Sequence, residues 1–170
     1  MKVSDSQFAI AALCLIALAA CSGKKLAGDT GAEAASGNDV AAFMGTWKLA
    51  GSSPAPWVDT GFVPAPDPAF AEKPIVFTET TAAGPAIVTC DKARYGVTLQ
   101  PIEGLFEGNL PDIENDARSL GIEPDAKNIP TLMEGCDVVT GDLELSFHLI
   151  DKNTLLLGLD NTIYRFSRQP

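Results

Sequence analysis

The chain has one histidine, His148, and its position decides whether histidine-based catalysis is available. It lies in "LELSFHLI" (143–150), where apolar and polar residues alternate as in a half-buried strand. This alternation places His148 on the outward face with Glu144 and Ser146, so we expect an exposed histidine. A Ser-His-acid set would need this residue and a nucleophile turn of the G-x-S-x-G type, which the sequence lacks. We predict that the protein is not an enzyme and needs no cofactor.

Acidic residues crowd the segment from 101 to 145, which holds eleven of them against Arg118 and Lys127. The full chain carries a net charge of -10. Such a surface repels nucleic acid and anionic lipid headgroups, so a nucleic-acid-binding role is excluded. We interpret the segment as a solvated face, with a basic partner or a divalent cation as the alternatives.

A calcium loop is the specific form of that last alternative. Asp112, Glu114, Asp116 and Glu123 occupy positions 1, 3, 5 and 12 of an EF-hand-like spacing. The sharp turn of that loop needs glycine, however, and Ala117 stands there. We favour a helix in which these acids lie near the positive end of the helix dipole. No metal site is predicted.

The first 20 residues are typical of a targeting signal. The apolar run from Phe8 to Ala20 is too short for a membrane span, which needs roughly 20 residues, and it fits a secretory signal. The run ends in Leu18-Ala19-Ala20-Cys21, which resembles the lipobox of bacterial lipoproteins. An ordinary signal peptide with a chance cysteine is the alternative.

The lipobox resemblance implies that Cys21 receives a diacylglycerol, that the signal 1–20 is removed, and that the new amino group is acylated by a fatty acid such as palmitate. Two or more chains give stable membrane attachment. Ser22 follows the cysteine, which in that family favours the outer membrane, on its periplasmic face. The inner membrane is the alternative. Residues 21–39 then form the lipidated cysteine and a flexible, Gly/Ala/Ser-rich tether.

Two cysteines, Cys90 and Cys136, remain after Cys14 leaves with the signal and Cys21 is acylated. In an oxidising compartment two such cysteines usually pair, so we predict a disulfide between them. Two buried free thiols or a metal site are the alternatives. With one histidine and no C-x-x-C, zinc is disfavoured.

The remaining residues, 40–170, are predicted to form one mainly β domain. We expect a small antiparallel β-barrel or strongly curved sheet with a short helical insertion; an open α+β antiparallel sheet is the alternative. "PIVFTET", "AIVTC" and "YGVTLQ" predict two successive hairpins. "LELSFHLI", "LLLGL" and "TIYRFSR" predict a C-terminal meander.

Two irregular segments interrupt these strands. The prolines of residues 54–74 predict a loop, held to the domain by Trp57, Phe62 and Phe70. Residues 101–140 predict a short helix that begins after the cap Asp112 and ends at Gly121, followed by a turn at 131–134.

Two resemblances bear on the domain. "GTWKL" and "YRFSR" are similar to the first and last strands of lipocalin-like barrels, which implies that a basic residue packs across the indole of Trp47. Arg165 and Arg168 both fit, and we predict Arg165. Residues 77–168, with "GLFEGNLP", "LGI" and "LLLGLDNTIYRF", resemble uncharacterised proteobacterial envelope lipoproteins, a resemblance that implies no activity.

These observations favour a non-catalytic binding role. We expect a membrane-anchored periplasmic lipoprotein that holds a small apolar ligand or an envelope protein. An inhibitor of a secreted or periplasmic hydrolase is the first alternative, and the proline loop around Trp57 would be its contact surface. A hydrolase is the second alternative, for which the sequence offers no site.

Overall fold

The computed structural model describes residues 39–59, 61, 63, 65–123, 125–136 and 144–170. The predicted signal, the predicted lipid site at Cys21 and nearly all of the predicted tether lie outside the described residues. The strands are β1 (Gly45–Pro54), β2 (Ile75–Phe77), β3 (Ala82–Ala83), β4 (Ala93–Gln100), β5 (Ile129–Cys136), β6 (Leu145–Asp151), β7 (Thr154–Leu159) and β8 (Thr162–Arg168). The helices are α1 (Ala69–Glu72) and α2 (Ile113–Ser119), with 3₁₀ turns at Val40–Ala42 and Ile102–Gly108.

The strands form one antiparallel eight-stranded sheet in the order β3-β2-β1-β8-β7-β6-β5-β4. Its two ends approach each other: the Ala93 N–H donates to the Thr80 carbonyl at 2.8 Å, and the Tyr95 hydroxyl donates to the Thr81 carbonyl at 2.7 Å. The sheet is therefore a nearly closed barrel. The predicted mainly β fold with a short helical insertion is confirmed.

The inner face of the barrel is filled by large apolar side chains. In β6, Leu145, Phe147 and Leu149 point inward, as the alternation predicts. The ring of Phe147 lies 5.1 Å from that of Phe77, centroid to centroid. The C-terminal meander is confirmed, and its β7–β8 turn places Asp160 and Asn161 at positive φ, as a two-residue hairpin turn requires.

The basic partner of Trp47 is Arg168, so the prediction of Arg165 is wrong. The Arg168 guanidinium lies 4.1 Å from the indole centroid and donates to the carbonyls of Met44 and Ala42. The alternation of side chains along β8 explains the difference, because Arg168 lies two residues after Phe166 and shares its inner face. Arg165 shares the outer face with Ile163 and donates to the Leu120 carbonyl.

The outer face of the sheet is also buried over part of its area, beneath the segment between β4 and β5 (residues 101–128, here the insertion). A second apolar cluster forms there from Ile102, Leu105, Phe106, Ala117, Leu120 and Ile122 of the insertion with Ile129, Leu156 and Ile163 of the sheet. The predicted helix is confirmed: Asp112 accepts from the Asn115 N–H, and Gly121 ends the helix at a φ of 73°.

Two local predictions are wrong. "AIVTC" (86–90) does not form a strand; residues 86–88 are a turn, and the N–H groups of Val88 and Thr89 both donate to the Pro85 carbonyl. β4 pairs with β5 instead of with a preceding strand. The predicted turn at 131–134 therefore lies inside β5, because a distant strand supplies its hydrogen-bond partners.

Candidate functional site

The two cysteines predicted to pair lie together near the closing edge of the barrel. The Sγ atoms of Cys90 and Cys136 are 2.11 Å apart, and their Cα atoms are 5.6 Å apart, a geometry compatible with a disulfide. Cys90 also forms an isolated bridge with Ala82 of β3, while Cys136 ends β5. A bond between them would fasten the two ends of the sheet.

His148 is buried, with 1% of its surface exposed, so the prediction of an exposed histidine is wrong. Its position on the outer face is as the alternation predicts. That face, however, is covered by the insertion: the ring of Phe106 meets the imidazole edge-on, with 4.6 Å between the ring centroids. The alternation gives the face correctly and cannot show that a distant segment packs over it.

Thr131 on the neighbouring strand is the hydrogen-bond partner of the His148 imidazole. The Thr131 hydroxyl donates to the Ile129 carbonyl at 3.3 Å, and its oxygen lies 2.9 Å from His148 Nδ1. A hydroxyl has one hydrogen: given to the Ile129 carbonyl, it leaves the imidazole proton on Nδ1 and makes Nε2 an acceptor, whereas a hydroxyl that donates to Nδ1 leaves the proton on Nε2. Burial lowers the pKa of His148 to about 4, which keeps the ring neutral at pH 7.

The described residues offer Nε2 no hydrogen-bond partner. Every fully enclosed side-chain nitrogen or oxygen in the described part of the chain has a partner, so Nε2 must open onto free space. That space is a groove of about 520 Å³ between the insertion and strands β5 to β7. Its sheet side is formed by Met133, Ser146, His148 and Gly158, and the aromatic rings of Trp57 and Phe106 line it from the loops.

Phe106 reaches the groove through an unusual backbone. Phe106 and Glu107 have φ values of 51° and 63°, a left-handed conformation that is unfavourable for residues with side chains. The Asn109 side chain stabilises this turn by donating to the Phe106 carbonyl at 2.8 Å. Residues held in such conformations cluster at binding and active sites, which makes the groove a candidate site on independent grounds.

Gly158 permits the close approach of the Phe106 ring to the sheet. A Cβ atom at this position would lie 2.8 Å from Phe106 Cδ1, closer than real carbon contacts. A glycine inside a strand is a known sign that another group approaches the backbone closely. Gly158 inside "LLLGL" is therefore a sequence signal for close packing at this strand, and it was missed.

The rim of the groove is acidic. Glu107, Glu144 and Asp160 line it, together with the amides of Gln100, Asn109 and Asn161. No lysine or arginine is among the described residues that line it. The groove therefore combines an apolar and aromatic wall with a negative edge.

The proline loop contributes Trp57 to this groove. The Trp57 ring packs against Phe106 with 5.7 Å between centroids, and Phe70 packs against Tyr164 at 4.5 Å. Both side chains hold the loop to the domain as predicted, while Phe62 lies outside the described residues.

Of the acids in the EF-hand-like spacing, Asp112 caps α2, Glu114 and Asp116 lie in its first turn, and Glu123 lies beyond its end. The Asp112 carboxylate accepts hydrogen bonds from the backbone and side chain of Asn115, which lower its pKa. Within the described residues, no three His, Cys, Asp or Glu side chains are arranged to hold a metal ion.

A second buried ionisable group, Glu134, was missed. It shares the inner face of β5 with Leu132, and only 3% of its surface is exposed. Burial raises the pKa of Glu134 to about 7, and burial together with Glu134 raises the pKa of its strand partner Tyr95 to about 12. Side chains two residues apart in a strand lie on the same face. Interpreting residues 131–134 as a strand would therefore have placed Glu134 on the inner face with Leu132.

No protein-family model, no curated protein and no solved structure matches this chain. Among the described residues, no helix is both long and apolar enough to cross a membrane. What the protein does is therefore inferred from its own residues.

Proposed function

We propose that this protein is a lipid-anchored binding protein of the cell envelope that holds a small, partly apolar ligand in the groove between the insertion and β5–β7. The observation that carries the proposal is the buried, neutral His148, whose Nε2 opens onto the groove without a described partner. Because Nε2 opens onto the groove, water meets it there, and a ligand donor would take the place of that water.

The dimensions and lining of the groove support this role. Ligand sites are usually clefts of roughly 300–1,000 Å³ with apolar and aromatic walls and a few placed polar groups. The groove has about 520 Å³, two aromatic rings and one imidazole acceptor. The barrel interior is a poorer candidate, because Phe43, Trp47, Phe77, Phe147 and Phe166 fill it.

The anchor in this proposal is Cys21, acylated and attached to the periplasmic face of the outer membrane, with the inner membrane as the alternative. The disulfide-compatible Cys90–Cys136 pair supports an oxidising compartment. Changing Cys21 to alanine should move the protein from the membrane fraction to the soluble envelope fraction. Membrane retention of that variant would contradict the anchor and leave the groove proposal untouched.

The two alternatives have less support. An inhibitor would present Trp57 to its target, yet this ring is partly buried and packs against Phe106. A hydrolase of the serine type would link a serine to His148. Instead, the Ser146 hydroxyl donates to the Met133 sulfur at 3.3 Å, and His148 is bonded to Thr131.

The test is a ligand-observed NMR screen of small fragments against the full chain carrying Cys21→Ala. A second variant, Ser146→Trp, places an indole in the groove, and Ser52→Trp places the same group at an exposed position of β1 as the control. We expect fragments that bind the parent and the Ser52→Trp protein and are lost with Ser146→Trp. Fragments that bind all three proteins equally, or a screen with none, would overturn the proposal.

A further inference from the structure

The charge of the groove restricts what can enter it. Glu107, Glu144 and Asp160 line its rim, and no lysine or arginine is among the described residues that line the groove. An anionic ligand would face three carboxylates with no cationic side chain in that lining. A cation would instead be attracted, and the net charge of -10 would assist its approach.

The interior of the groove specifies the rest of the ligand. Trp57 and Phe106 offer ring faces and edges for an apolar body, and the indole is the ring that best attracts a cation. With the imidazole proton on Nδ1, His148 Nε2 is an acceptor, so the group that meets it must be a donor. A bare metal ion fits poorly, since the described residues hold no set of three side chains arranged as ligands.

We propose that the groove takes an organic cation, a primary or secondary ammonium joined to an aromatic or short apolar body, whose N–H donates to His148 Nε2 within the field of Glu107, Glu144 and Asp160. This inference rests on the proposed binding function and names its ligand class. The apolar body lies between Trp57 and Met133. The imidazole stays neutral beside the cation because burial already lowers the pKa of His148.

The test compares three probes that share a phenyl ring and a two-carbon arm: 2-phenylethylammonium, 2-phenylethanol and 3-phenylpropionate. Each is titrated calorimetrically into the full chain carrying Cys21→Ala at pH 7. We expect the ammonium to bind at least tenfold more tightly than the alcohol and the carboxylate to bind most weakly. The ammonium affinity should fall severalfold between low salt and physiological salt, because the rim charges are exposed.

A triple variant, Glu107→Gln with Glu144→Gln and Asp160→Asn, removes the rim charges. We expect it to lower the ammonium affinity to that of the alcohol. The control, Glu72→Gln with Glu79→Gln and Glu123→Gln, removes three charges that do not line the groove. It should change the ammonium affinity less than twofold.

The outcomes separate this inference from the binding function. If the alcohol or the carboxylate binds as tightly as the ammonium, the ligand class is wrong and the binding function stands. If the control triple reduces ammonium binding as much as the rim triple does, net charge rather than the rim is responsible and the inference fails. If none of the probes binds while fragments still occupy the groove, the ligand class alone is overturned; if nothing binds there, both fail.

Discussion

The inner face of this sheet is buried, the outer face is buried over part of its area, and the two are built differently. The inner face is packed by aromatic side chains from strands on all sides of the barrel, with Trp47 held between the Phe43 carbonyl and Arg168. The outer face is covered by one insertion, and that cover leaves a groove beside His148. The difference indicates that the inner face stabilises the fold and that the outer face is where a ligand can enter.

Each face also encloses an ionisable side chain whose pKa burial shifts, Glu134 on the inner face and His148 on the outer face. Glu134 on the inner face has its pKa raised by burial, whereas His148 on the outer face has its pKa lowered by burial. In both cases burial disfavours the charged form. Of these two groups, only His148 borders the groove, so it is the one that a ligand can reach.

The largest expected effect is on stability, and it differs between alanine variants of the two tryptophans. Trp47→Ala should lower the free energy of unfolding by about 3–5 kcal/mol, because the ring is fully buried and its cavity cannot collapse. Trp57→Ala should cost about 1 kcal/mol, since this ring is only partly buried, but it should weaken ligand binding. Urea unfolding of both variants measures the costs. Equal losses of stability would remove the distinction between the faces.

The cysteine pair should contribute the next largest effect. Replacing Cys90 and Cys136 by serine should cost about 2–4 kcal/mol, because a closed loop with a sequence separation of 46 restricts the unfolded chain. Urea unfolding with and without reductant measures it, and reductant should lower the stability of the parent alone. Two alkylatable thiols in the denatured, unreduced protein would contradict the pairing.

Because of the buried carboxyl of Glu134, the free energy of unfolding should fall as pH rises. The pKa of Glu134 is about 7 in the folded protein and 4.5 at its ordinary value, so unfolding releases a proton between these limits. The group's contribution is complete below pH 4.5 and is lost as pH rises through 7, by about 3 kcal/mol. Glu134→Gln should remove this loss, measured as the difference from the parent in urea unfolding at pH 5 and pH 8. The exposed variant Glu123→Gln is the control, and an unchanged pH dependence in Glu134→Gln would show that the carboxyl is hydrated.

A smaller change tests the cover of the outer face. Gly158→Ala places a Cβ against the Phe106 ring and should cost about 1–3 kcal/mol while weakening binding of 2-phenylethylammonium. Gly96→Ala in β4 meets no atom within 4 Å and should be neutral or slightly stabilising. Thermal unfolding and calorimetry measure both quantities. Equal behaviour of the two variants would mean that Phe106 does not pack on β7 in solution.

The sequence predicts those parts of the fold that depend on neighbouring residues. The inward set of Leu145, Phe147 and Leu149 follows from alternation, and the ends of α2 follow from Asp112 and Gly121. The pairing of β4 with β5 was not predicted, because the insertion separates the two strands and local patterns do not identify distant partners.

The candidate site was largely missed for the same reason. His148 was placed on the correct face, but its burial depends on Phe106, more than forty residues earlier in the chain. The prediction that Arg165 packs on Trp47 could have been avoided from the sequence. Arg168 lies two residues after Phe166 and therefore shares its inner face. Gly158 was the one local signal that a ring packs on the outer face.

The most direct test of the account is a ¹⁵N NMR measurement of the imidazole, carried out on protein purified without a histidine tag. Because His148 is the one histidine in the chain, its two ring nitrogens need no assignment against other residues. We predict a neutral ring from pH 8 to pH 5, with the proton on Nδ1 and a bare Nε2 that shifts when 2-phenylethylammonium is added. A ring that titrates near its ordinary pKa of 6.5, or an Nε2 signal that stays unchanged while the ammonium binds, would contradict the groove as the ligand site.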